Sequence, residues 1–308
     1  MRLLGAAIVL LMGGVFIATG PRKPDLQGNW TNATVTRLER IIGTNTATLT
    51  EEEIAAYRTP PRPAWGVELF VDPNLDVIRI NGEARSSILV DPPDGHIPPL
   101  TEAGKKRAAA IAERRRQFGE FDHPELRPLG ERCLTSFGSN AGPPMLPNYQ
   151  YNNNYTIVQT PDSIMILTEM NHDARIIRMG AATHPPSHIR PWFGDSIGRW
   201  EGETLVVETT NIHPAQLEQT DDLWAYRRAS ENLKVTEWFS LSDPDTILYR
   251  FTVEDPGFFT APFTGELPFR RTTGMLYEYG CHEGNYSLPS IMGAARSMER
   301  HDAAEERR

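Results

Sequence analysis

Cysteine is scarce: the chain of 308 residues holds two, Cys133 and Cys281. No CxxC pair and no Cys/His zinc spacing occurs, which excludes a zinc finger and a disulfide-dense small scaffold. Positive charge is also short. The 31 Lys and Arg residues face 40 Asp and Glu, a formal net charge of −9. The chain therefore lacks the basic stripe that nucleic-acid binding needs and any polybasic membrane signal. No long apolar run occurs after residue 20, which excludes a multi-span helical membrane protein. Strand–helix–strand alternation is missing, which argues against a parallel doubly wound sheet. There is no internal repeat, GxSxG elbow, Walker loop or GxGxxG fingerprint.

Turn formers are plentiful, with 24 glycines and 25 prolines, which argues against an all-helical bundle. Arg2 precedes an apolar stretch from Leu3 to Gly20, the pattern of a secretory signal. Ala18-Thr19-Gly20 offers a small-residue cleavage site, while Pro21 opposes cleavage there. A cleaved signal and a retained N-terminal anchor thus both stand over residues 1–20. Either implies an exported, periplasmic or secreted protein that meets a membrane only through that anchor. In such a compartment Cys133 and Cys281 are expected to form a disulfide.

Residues 21–148 read as an irregular, partly helical arm. Thr50 and Glu53 form a capping box ahead of a short helix, Ser86–Val90 reads as a short strand, and residues 101–118 read as a convincing helix. Residues 138–148, rich in Gly and Pro, read as a hinge or closing loop. From 149 the pattern changes to short alternating strands separated by turn signals. These are 151–159, 163–170, 174–179, 196–200, 204–211, 233–241, 246–255, 263–271 and 275–283, with one excursion over 211–232 and a short helix around 223–230. An antiparallel meander this long must close or fold to protect its edges. The expected fold is mainly β: an antiparallel up-and-down barrel of the calycin or lipocalin kind over 149–290, with a polar tail over 291–308. A β-sandwich is the alternative.

The stretches PDLQGNWTNAT, SSILVDPPDGHIP, NYTIVQTPDSIMILTEMNHDARII, RPWFGDSIGRWEGETLVVETTN and YEYGCHEGNY together resemble a widespread family of secreted bacterial proteins. The resemblance spans roughly residues 24–290, implies export, and brings no catalytic assignment with it. The GRWEGETL hairpin also resembles calycin-type barrels over a short length.

Candidate chemistry follows from strand alternation. Leu205, Val207 and Thr209 share one face, and Val206, Glu208 and Thr210 the other. Ile247, Tyr249, Phe251 and Val253 oppose Leu248, Arg250, Thr252 and Glu254. Glu278 and His282 share a face of the last expected strand, with Gly280 between them. If the ionisable face turns inward, Glu278, His282, Glu208 and Arg250 converge for proton transfer beside an anion clamp; if outward, it is a solvent face. The second cluster is His172 as a general base with Asp173 and Arg175, or else a polar turn. The third is a Pro-stiffened loop with His184, His188, Arg190 and Trp192, followed by Asp195, Arg199 and Trp200, either a substrate-binding lid or a structural loop. Residues expected to bind substrate are Arg175, Arg190, Trp192, Arg199, Trp200, Glu208 and Arg250. No cofactor or metal is expected. The leading expectation is an exported acid–base lyase, isomerase or hydrolase acting on a small organic molecule in a barrel pocket. The alternative is a lipocalin-like periplasmic binding protein for an apolar or aromatic ligand, with an envelope structural module third.

Overall fold

The computed structural model describes residues 23–41, 43–57, 75–136, 141–147, 151–218 and 229–307. The candidate signal or anchor and most of the candidate helix around 223–230 lie outside them. The chain forms a closed barrel of nine strands: β1 (Gly28–Thr31), then β5 (Asn154–Gln159), β6 (Ser163–Thr168), β7 (Ala174–Met179), β8 (Asp195–Glu201), β9 (Thr204–Thr210), β10 (Lys234–Asp243), β11 (Thr246–Glu254) and β12 (Phe263–Arg271). The barrel closes where Trp30 and Thr31 pair with Arg271 and Arg270. Outside it lie the short ladder of β2 (Arg79–Ile80) and β3 (Glu83–Ala84). Strand β4 (Leu89–Asp91) pairs with the start of β12.

Inward and outward residues follow the pleat. On β11, Ile247, Tyr249, Phe251 and Val253 are buried, and Arg250 is exposed. The interior is filled by Trp30, Tyr155, Ile166, Phe239, Leu267, Phe269 and their neighbours in one continuous cluster. Burying such side chains stabilises by about 1.5–3 kcal/mol each. At Gly265 a Cβ would stand 2.3 Å from the Phe251 ring, so this strand passes closer to the core than any side chain permits.

Two departures matter for the site. First, β7 and β8 are parallel, with Ile177 opposite Ser196 and Met179 opposite Gly198. The Pro-rich connection 180–194 carries the chain back to the same end before β8 begins, and so breaks the up-and-down order once. Second, residues 275–283 are not a strand. Met275 and Tyr277 are 73% and 72% exposed, so these two members of the expected apolar face do not pack on the barrel. The ninth place in the barrel goes to β1, which is too short to show a period; its inward Trp30 is fully buried and donates Nε1–H to the Leu26 carbonyl at 2.9 Å.

Residues 272–286 instead form a strap across one barrel end. The Tyr277 N–H donates to Glu169 Oε1 at 3.2 Å and the Tyr279 N–H to His172 Nε2 at 2.8 Å. The Cys133–Cys281 disulfide ties the strap to the arm. Helix α1 (Glu51–Tyr57) carries the expected capping box, with the Thr50 N–H on Glu53 and the Glu53 N–H on Thr50 Oγ1. Helix α2 (Glu102–Arg116) is capped by Thr101, and its Gly104 lies against the Phe258 carbonyl. The expected polar tail is largely helical, within α3 (Ser287–Glu305). The hinge-like segment over 141–147 enters the core: Met145 and Leu146 are fully buried.

Candidate functional site

The parallel crossing of β7 and β8 sets up the site. Arg178, on the outer face of β7, lies opposite Ile197, and Ile197 lies opposite Glu208 on β9. Asp195 opens β8 one step away on that same face. The connection 180–194 then folds back over this wall and delivers His184. The His184 Nδ1 lies 2.7 Å from Asp195 Oδ2, and its Nε2 lies 3.4 Å from Glu208 Oε1. Arg178 grips Asp195 with two hydrogen bonds, Nε to Oδ1 at 3.1 Å and Nη2 to Oδ2 at 2.8 Å. It also donates to the Thr183 carbonyl, directly before His184. One guanidinium thus holds both the carboxylate and the loop that carries the ring.

Burial raises the Asp195 carboxyl, but the hydrogen bonds from Arg178 and His184 and their charges outweigh it and hold this carboxyl below the ordinary aspartate value. The Asp195 side chain is 14% exposed, His184 19% and Glu208 39%. The Asp195 edge of the ring is therefore the more shielded, and the Glu208 edge meets a carboxylate that is partly open to solvent. The Lys234 ammonium is raised by its hydrogen bond to Glu254, against partial burial, with further help from the Glu254 and Glu208 charges.

The rest of the loop is anchored chiefly through backbone carbonyls, with Arg190 Nη2 also 3.9 Å from Glu231 Oε2. Arg190 donates to the carbonyls of Ser187, Ile212 and Glu231. Asn211 donates to the Pro185 carbonyl, and Trp192 lies on His213 with ring centroids 4.2 Å apart. Gly194 adopts φ +73°, and a Cβ there would stand 2.4 Å from the Thr210 carbonyl oxygen, so only glycine allows the loop to land this close to β9.

The other expected site residues are dispersed. Arg250 faces outward, as Glu208 does, and not into a cavity; it pairs with Glu266 at 2.8 Å. Arg199 pairs with Glu201 on the outer wall, while Trp200 packs against the core. Glu278 and His282 lie on the exposed strap and do not share a strand face. The His172 Nε2 is the acceptor that holds the strap, and Asp173 Oδ2 accepts the Ser136 N–H at 2.7 Å. Of that cluster only Arg175 enters the barrel. It forms a bidentate ion pair with Glu237 at 2.7 and 3.2 Å, and the Tyr249 hydroxyl donates to Glu237 Oε1 at 2.7 Å. Tyr249 in turn accepts the Met145 N–H at 2.9 Å.

Two of these groups escaped the sequence reading. Glu237 stands at an inward position between Val235 and Phe239, so alternation alone could have marked it as a buried carboxylate. Arg178 was legible as the outward neighbour of Ile177, but its partner depended on the parallel crossing.

Among the described residues no group of three His, Cys, Asp or Glu side chains is arranged to hold a metal ion. None of their helices is long and apolar enough to cross a membrane. The disulfide suits an oxidising, extracytoplasmic compartment. Neither a family model nor a curated protein matches the chain.

Proposed function

We propose that the protein is an exported acid–base enzyme whose working pair is His184 and Asp195, with Glu208 as a second carboxylate beside the ring. The observation that supports this most is the His184 ring held on one edge by a shielded carboxylate and facing on the other the half-exposed Glu208. Asp195 accepts the Nδ1 proton, which fixes the tautomer and leaves Nε2 as the base. A proton taken from a substrate carbon, or from water attacking a substrate, passes to Nε2. Asp195 and Glu208 then stabilise the imidazolium, which returns the proton to the product or leaving group. The substrate class is a small organic molecule undergoing hydrolysis, elimination or isomerisation without a cofactor. It would meet the site at the barrel wall beneath residues 184–194, not in the interior.

The side chains that fill the barrel favour this reading over a lipocalin-like carrier. The N-terminal apolar run and the disulfide support release to the periplasm or the exterior. The test is a turnover screen of esters, lactones and substrates with an acidic α-proton. His184→Gln and Asp195→Asn are expected to lower the rate by about 10²–10⁴-fold with unchanged circular dichroism. Full turnover in both variants, or no turnover of any class by the wild type, refutes the assignment.

A further inference from the structure

A buried guanidinium lies in the arm, among residues that the His184 site does not use. Arg40 is 8% exposed, yet its hydrogen bonds run to neutral acceptors: Nε to Ser86 Oγ at 3.1 Å and Nη2 to the Pro93 carbonyl at 3.1 Å. Among the described residues no carboxylate pairs with it. A buried charge is normally paired or bound to an ion, because leaving water is costly. Two of the five N–H donors of a guanidinium are used here, and the rest have no protein partner among the described residues.

The group is also fixed in place. Ser86 Oγ donates to the Thr46 carbonyl at 2.6 Å, and the Arg40 N–H donates to the Gly95 carbonyl at 2.9 Å. Gly95 adopts φ +72°, and a Cβ there would stand 3.2 Å from Arg40 Cζ and 2.8 Å from Ser87 Oγ. The guanidinium therefore lies against a backbone where no side chain fits. It borders an open cleft of about 440 Å³ lined also by Thr44, Asn45, Pro93, Asp94 and His96. The nearby carboxylates are turned to other donors: Asp94 accepts the His96 N–H at 3.0 Å, and Glu39 accepts the Ile97 N–H at 2.8 Å and faces His96 Nδ1 at 3.6 Å.

We infer that this cleft binds the oxyanion group of a small molecule, a carboxylate or a phosphate, on the unused fork of Arg40, with Thr44 and Asn45 as neutral donors beside it. A planar, immobilised guanidinium suits such a group because it offers parallel N–H bonds. The experiment is calorimetric titration of the full chain with inorganic phosphate and, separately, with succinate, at constant ionic strength. Saturable binding of at least one anion is expected, weakened at least tenfold in Arg40→Lys, which keeps the charge and loses the fork. Phosphate alone binding points to a phosphate ester, and succinate alone to a carboxylic acid. Should Arg40→Lys fail to fold, Asn45→Ala, at the cleft mouth, is expected to weaken binding severalfold. No binding of either anion at millimolar concentration, or equal affinity in the variants that fold, overturns the inference. His184→Gln is expected to leave this binding unchanged, so the two sites fail or stand separately.

Discussion

The ion pair between Arg175 and Glu237 is the harshest test of how this barrel is held. Glu237 is fully buried and Arg175 is 3% exposed, so both ions have left water. Their bidentate contact and the Tyr249 hydroxyl offset that loss. Burial above all, with the Glu237 charge, pushes the Tyr249 hydroxyl well above the ordinary phenol value, which keeps it a proton donor. Removing one partner strands the other. Arg175→Met leaves a carboxylate with one hydroxyl donor in an apolar interior, and Glu237→Leu leaves an unpaired guanidinium beside Gly142. Each single change is expected to cost about 3–5 kcal/mol. The double variant Arg175→Met/Glu237→Leu removes both charges and is expected to lie within about 1 kcal/mol of the wild type, or above it. Urea unfolding followed by tryptophan fluorescence measures all four proteins and gives the coupling directly. Added salt should change little, since a dry pair is poorly screened. Singles that lose less than about 1 kcal/mol, or a double variant that loses the sum of the two, would refute the reasoning.

Three further outcomes follow from the same geometry. His172→Ala removes the acceptor of the Tyr279 amide, so hydrogen exchange at Tyr279 and along the strap should accelerate while the barrel amides stay protected; unchanged exchange would mean that the contact does not hold the strap. Because the folded-state Asp195 carboxyl sits below its unfolded value, its contribution is present above the ordinary aspartate range and disappears as pH falls through the lower, folded value. Asp195→Asn should thus be less stable than wild type at neutral pH, with the gap closing in acid, and a gap constant down to the acid limit would contradict this. The disulfide closes a loop of 148 residues, so Cys133→Ser/Cys281→Ser should cost about 5 kcal/mol on the chain-entropy model. A loss below about 1 kcal/mol would show that the strap and arm hold each other without it.

The barrel was legible because its strands obey one local rule. In 246–255 the inward and outward residues separate cleanly, and the turn at Asp243-Pro244-Asp245 punctuates the hairpin. That rule also led the last strand astray. Residues 275–283 alternate as well as β9 does, but alternation reports only that two faces differ, not that a neighbouring strand exists. Glu169 and His172 supply the acceptors that a strand would have supplied. Strand β1 failed in the opposite sense: four residues are too few to show a period, and its place depends on Trp30 meeting Tyr155 and Arg271 from distant parts of the chain. The site was half legible for the same reason. His184 and Asp195 were legible only as parts of a lid-like loop and Glu208 as an ionisable strand residue, and their meeting needs β7 and β8 to run parallel, which no local pattern encodes.

The outer wall decides between a stabilising ladder and a working site, and its composition argues for the second. Arg178, Asp195, His184, Glu208, Lys234 and Glu254 run from β7 to β11, with charges that alternate in sign when His184 holds a transferred proton. A ladder built only for stability gains little at a wet surface, about 0–1 kcal/mol per pair, and Lys or Arg serves that purpose at any pH. The third position holds instead a histidine on a loop fixed by Arg178, Arg190, Asn211 and Gly194. Such rigid support around an imidazole set between two carboxylates is costly to build for one weak surface pair, and it is what proton transfer requires. His184→Arg separates the two purposes: a ladder keeps its stability with the permanent cation, whereas an acid–base site keeps its fold and loses turnover.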